Sequence, residues 1–303
     1  MTESMQRQPL AAHSTSAFGR LGRQTALAGA LLALAGAAWV ATDLRMAGMD
    51  AGPGTNPGAL GFFLSTWVVM MAAMMLPALT PMVLAYRAVQ HERRGRGASA
   101  NPGDTALLLA GYFVVWAAAG LLGYALLQAS RSLDGGLFAW DRAGRLTAAG
   151  VLMAAALYQL TPSKDACLSR CRSRRAFLLE GRRDGRDGAL RIGIEHGAWC
   201  LGCCWALMAA LFALGAMSVA WMALISVLVT AERLLPWRAL ATTGVASLLA
   251  VVAIAVAAAP ARVPMLTIPG SPAAMRAMGV SPSRHTQMPN PTRMQPRTGS
   301  MPR

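Results

Sequence analysis

The run IGIEHGAWCLGCCWALMAALFALGAMSVAWMALISVLVTA at residues 192–231 holds one carboxylate, Glu195, and no Lys or Arg. As a straight helix it would measure about 60 Å at ~1.5 Å per residue, twice the ~30 Å hydrocarbon layer of a bilayer. It is therefore expected to fold back on itself. Gly215-Ala216-Met217-Ser218, near the middle of the run, is the expected turn. Two helices returning through lipid imply an all-α, polytopic membrane protein.

Outward from this hairpin, further apolar runs occur at 25–42, 61–86, 106–129, 146–160 and 239–259, each bounded by Arg, Gly, Pro, Asp or other polar residues. Together they predict about seven transmembrane helices. The first run is just long enough to span; a cleaved signal peptide is its competing reading, though the polar lead before it is long for one. Of the 303 residues 55% are apolar and 14% charged, and the mean hydropathy is +0.42, which argues against an ordinary soluble enzyme. The chain is expected to divide into a cytoplasmic N-terminal segment 1–24, a transmembrane helical domain 25–260, and a Pro/Met/Arg-rich tail 261–303 that is expected to be disordered.

The net charge of +15 follows from topology. With the N-terminus inside, the inner segments carry 18 basic residues and the outer loops and tail 10. A multi-pass membrane protein is expected, with its N-terminus on the cytoplasmic side and its C-terminus on the outer side. The basic residues face anionic lipid, so the bilayer is the expected partner and nucleic acid is not.

The second run contains Trp67-Val-Val-Met70-Met71-Ala-Ala-Met74-Met75-Leu-Pro77, then Pro81-Met82. Helical spacing stacks Met70 on Met74 and Met71 on Met75. Thioethers are soft and uncharged, so they suit monovalent copper; they are also pliable packing groups. Pro77 and Pro81 cannot donate to the helix ladder and are expected to kink it.

In the quoted hairpin, His196, Cys200, Cys204 and Met208 recur every four residues with Cys203 beside them, setting an imidazole, three thiols and a thioether along one face. Metal ligation, a redox couple and plain packing all remain open for this group. Gly197 and Gly202 are expected to admit the methionine helix alongside, and the thioethers and thiols are expected to meet at similar depth. Cys167 and Cys171 lie one helical turn apart in a basic inner loop and form a further candidate site. Met46 and Met49 offer thioethers outside. Ion pairing at the inner interface explains Glu195 near Arg191 and Glu232 beside Arg233 at least as well as proton or metal chemistry does.

Four stretches together resemble the bacterial predicted metal-binding integral membrane proteins, a family catalogued as a domain of unknown function: Trp67 to Pro81, YQLTPSKDACLSRCR at Tyr158 to Arg172, GIEHGAWCLGCCWALM at Gly193 to Met208, and Gly215 to Glu232 with Met217, Trp221 and Met222. The resemblance covers roughly residues 25 to 235. The family pattern has Lys where this chain has Arg233, and a hydrophobic residue where it has Ser163. The resemblance implies metal binding without a mechanism.

The sequence favours a soft-metal protein, copper(I) foremost, acting in metal handling, transport or delivery with a metal chaperone or metalloprotein partner. Its candidate ligands are Met70, Met71, Met74, Met75, Cys167, Cys171, His196, Cys200, Cys203, Cys204 and Met208. A membrane thiol redox protein and an assembly scaffold for a metalloprotein are the alternatives. Enzyme readings are weaker: the chain has no Gly-x-Ser-x-Gly, His-Glu-x-x-His or Walker-type phosphate loop.

Overall fold

The computed structural model describes residues 10–46, 58–94, 103–133, 144–173, 178, 185–215, 218–263 and 266. Among these the chain is all-helical, with no strands. Its eight α-helices are α1 Leu10–Met46, α2 Leu60–Arg94, α3 Asp104–Leu133, α4 Arg145–Gln159, α5 Pro162–Arg172, α6 Gly185–Leu214, α7 Val219–Leu234 and α8 Arg238–Ala258. A short 3-10 turn, Pro260–Arg262, follows α8. Met49, Met217 and the tail from 267 onward lie outside the described residues.

Prolines and glycines set many of the boundaries. α1 begins directly after Pro9 and so starts ahead of the apolar run. Thr161 caps α5, accepting from the Lys164 backbone N–H, and Pro162 takes the first helical position, where its missing donor costs nothing. Pro236 follows the end of α7. The quoted hairpin turns where expected: α6 ends at Leu214, Gly215 adopts φ +108°, and α7 begins at Val219.

Among the described residues, five helices are long and apolar enough to cross a membrane, namely α1, α2, α3, α6 and α8. α4 and α7, with 15 and 16 residues, are shorter. α2 runs as one helix through Pro77 and Pro81. Beside the second of these, the Thr80 hydroxyl donates to the Leu76 carbonyl at 2.8 Å.

α6 lies against α3, α4, α5 and α7, whereas α2 packs on α1, α3 and α7. α3 and α6 approach each other closely. A Cβ added at Gly193 would collide with the Leu108 carbonyl, and one at Gly111 with the Leu190 carbonyl, so only glycine allows these backbones to meet. The expectation that Gly197 and Gly202 admit α2 is corrected. Gly197 faces Tyr112 and Val115 of α3, and Gly202 faces Cys167 of α5.

α2 touches α6 through stacked rings, Trp67 and Phe212, whose centroids are 5.5 Å apart. The Trp67 indole N–H also donates to the Trp116 carbonyl of α3 at 2.8 Å, while Arg87 reaches Thr105, so α2 and α3 run antiparallel. Pairings of Leu108 with Gly193 and Gly123 with Phe212 make α3 and α6 parallel. From the Trp67–Trp116 contact, Met71 to Met75 lie about 6 to 12 Å further along α2, and Tyr112 lies about 6 Å back along α3. The thioethers and the Tyr112 layer thus share a depth to within roughly a helical turn or so.

Candidate metal centre

α6 presents its sulfur-bearing face inward. His196, Cys200, Cys203, Cys204 and Met208 are all buried, as the four-residue spacing requires of one packed face. The four thioethers of α2 are buried too. Buried methionine fits both packing and ligation, and the Met74 carbonyl accepts from the Ser226 hydroxyl of α7 at 3.3 Å.

α5 contributes the next sulfur. Its helical form sets Cys167 and Cys171 one turn apart, but the two have different surroundings. Cys171 is buried with its Sγ 3.9 Å from the Cys203 Sγ, which joins it to the α6 cluster. Cys167 is partly exposed and stands over Gly202. Burial, with Cys203 adding to it, raises the Cys167 thiol above the ordinary thiol range, so it stays neutral at physiological pH. Of the two cysteines of the inner loop, Cys171 thus reaches the α6 sulfurs, while Cys167 stands over Gly202.

The Cys203 and Cys204 sulfurs are 3.4 Å apart, and the Cys203 thiol donates to the Cys200 carbonyl at 3.2 Å. The Tyr112 hydroxyl is 2.9 Å from the Cys200 sulfur, and the Tyr112 ring lies against His196 with centroids 6.0 Å apart. α3 therefore carries a site residue that the sequence reading missed. No thioether is among the hydrogen-bonding neighbours of the thiols among the described residues.

The largest departure from expectation is at the end of α7. Glu232 and Arg233 do not pair with each other at the interface; both are buried and turn to different partners. Glu232 accepts from the ammonium of Lys164 through both oxygens, at 2.8 and 2.7 Å, and Gln159 also accepts from that ammonium. Arg172 then donates to the Glu232 and Leu235 carbonyls at 2.8 and 2.5 Å, tying α5 to the end of α7. Arg191 and Glu195 do form the expected exposed ion pair, at 3.5 Å.

With its neighbouring carboxylate committed elsewhere, Arg233 enters the thiol cluster. Its Nη2 donates to the sulfurs of Cys200, Cys203 and Cys204 at 2.7, 3.2 and 3.4 Å. A buried guanidinium needs compensating negative charge, and sulfur is what surrounds it. In this arrangement no three His, Cys, Asp or Glu side chains among the described residues are spaced to grip one ion. A protein cation stands among the sulfurs.

A family model described as PpoB2, copper chaperone, matches residues 64–256. The chain belongs to this family. The match spans α2 to α8 apart from their outermost residues, and so takes in the methionine block, both cysteine helices and the Glu232–Arg233 end of α7. A copper-handling role follows in general terms. No curated protein and no solved structure matches the chain.

Proposed function

We propose that this chain is an inner-membrane copper chaperone that binds monovalent copper on the buried thiols of α5 and α6 and hands it to a protein partner. The observation that carries this reading is the cluster itself. Cys171, Cys200, Cys203 and Cys204 from two helices gather in an apolar interior, inside a chain of a copper-chaperone family. Thiols prefer soft monovalent copper to hard cations, and burial excludes water and oxidants from the ion.

In this reading, His196 and Met208 extend the α6 ligand face on either side of the thiols. Met70, Met71, Met74 and Met75 form a thioether layer reached from the outer side. Cys167, the partly exposed thiol, is the exchange point with a partner at the inner end. α4 and α7 complete seven crossings with the N-terminus cytoplasmic and the C-terminus periplasmic. Sheltered by the longer helices, these two need not match the full bilayer thickness.

A second reading, thiol redox exchange, has one observation in its favour: the 3.9 Å approach of Cys171 and Cys203 between two helices. Anaerobic loading with copper and a reductant, followed by elemental analysis of the detergent-purified chain, separates the two. Copper handling predicts near-stoichiometric copper, with the thiols shielded from alkylation only while the metal is bound. A chain that takes up no copper but shows a reversible thiol-to-disulfide change would reverse the assignment.

A further inference from the structure

We infer that Arg233 is a built-in stand-in for the copper ion: its guanidinium fills the thiol site when copper is absent and must swing out when copper enters. The inference rests on the copper reading above and goes further, giving one residue control over uptake and release.

Three observations converge on it. The first is position. Nη2 lies within 2.7 to 3.4 Å of three sulfurs, so an ion bound to those same sulfurs has no room while the guanidinium is there. The second is contrast with the other buried cation nearby. Lys164 is held by both oxygens of Glu232 and by Gln159, whereas Arg233 has thiol sulfurs for acceptors and its Nε, also buried, has no hydrogen-bond partner among the described residues. Lys164 is thus the fixed cation. Arg233, with its acceptors all sulfur and a buried Nε unpaired, is the less fully satisfied of the two and the one placed to exchange.

The third is its place in the chain. Arg233 sits one residue before the end of α7, and Leu234, Leu235 and Trp237 beyond it are exposed. A long side chain at a helix end can reach the membrane–water interface while its backbone stays in place. Arg172, bonded to the carbonyls of Glu232 and Leu235, holds that backbone. Exchanging a guanidinium for a monovalent ion replaces one positive charge with another, and each sulfur that is still a thiol releases its proton to solvent as copper binds. A divalent ion would add an uncompensated charge in a medium where that is costly.

The test uses the full-length, detergent-purified chain under anaerobic conditions, with cuprous ion supplied in competition with a chromophoric chelator. If the copper-accessible arrangement is a minor state, removing the stand-in raises apparent affinity by the inverse of its population, about tenfold or more. Arg233→Gln is therefore expected to bind copper about tenfold or more tightly than wild type, and to surrender it more slowly. Arg233→Lys, which restores a cation, is expected to stay near wild type. A second measurement needs no variant: phenylglyoxal modification of wild type, mapped by mass spectrometry, is expected to spare Arg233 in the copper-free chain and modify it in the loaded one. R233Q binding no tighter than wild type, or Arg233 equally shielded in both states, overturns the inference. A wild-type chain that takes up no copper at all overturns the underlying reading instead.

Discussion

Replacing Glu232 with Ala is expected to destabilise the helical bundle by about 3–5 kcal/mol, the usual cost of stranding one partner of a buried ion pair. Lys164 has none of its surface exposed and Glu232 only 2%. Without the carboxylate, the buried ammonium keeps the Gln159 oxygen alone as a hydrogen-bond partner among the described residues. The pair also joins α5 to α7, so its loss loosens the helix that carries Cys171. Equilibrium unfolding of the detergent-solubilised chain measures the effect. A double replacement, Lys164→Met with Glu232→Leu, is expected to recover much of the loss, because removing both charges removes the desolvation cost as well. If Glu232→Ala is as stable as wild type, the buried pair is not part of the folded protein.

The second large effect concerns copper. Replacing Cys200, Cys203 and Cys204 together by Ser is expected to reduce copper, measured by elemental analysis after anaerobic loading, from near-stoichiometric to background. Hydroxyls are harder donors than thiolates and do not ionise near neutral pH, so neither softness nor charge survives the change. Ser is close to Cys in size, and the carbonyl of Cys200, which accepts from the Cys203 thiol, can equally accept from a hydroxyl. Helicity and thermal stability should therefore stay close to wild type, separating loss of metal from loss of fold. Full copper occupancy in the triple variant would move the site elsewhere, with the α2 thioethers the first place to look.

Much of the architecture was legible because long apolar runs leave few options. Apolar runs without charge must be helices in lipid, and a forty-residue run must turn, which it does at the Gly215–Ser218 break. The four-residue spacing from His196 to Met208 correctly placed these side chains on one buried face. Helix ends were less legible: α1 extends back to Leu10 because the polar residues after Pro9 do not prevent helix formation.

What the sequence could not give was the neighbours of that face. Depth along a helix can be counted from a charged edge, but lateral order in a bundle depends on which backbones can touch. The close pairings of Gly111 and Gly193 bring α3 against α6, so the thiols meet Tyr112, and α5 brings in Cys171. Adjacent Glu232 and Arg233 read as an interfacial pair because nothing local indicates that Lys164, 68 positions away, claims the carboxylate. One signal was available. Lys164 is the only lysine in a chain that otherwise uses arginine, and it follows Pro162 at the start of a helix. A residue choice that departs from the habit of the whole chain pointed to a special environment.

The central claim is that buried sulfur holds monovalent copper, and copper-edge X-ray absorption of the anaerobically loaded wild-type chain tests it most directly. The account predicts the edge of a monovalent ion with sulfur as its nearest shell. A nearest shell of nitrogen or oxygen, or a divalent edge under reducing conditions, would contradict it.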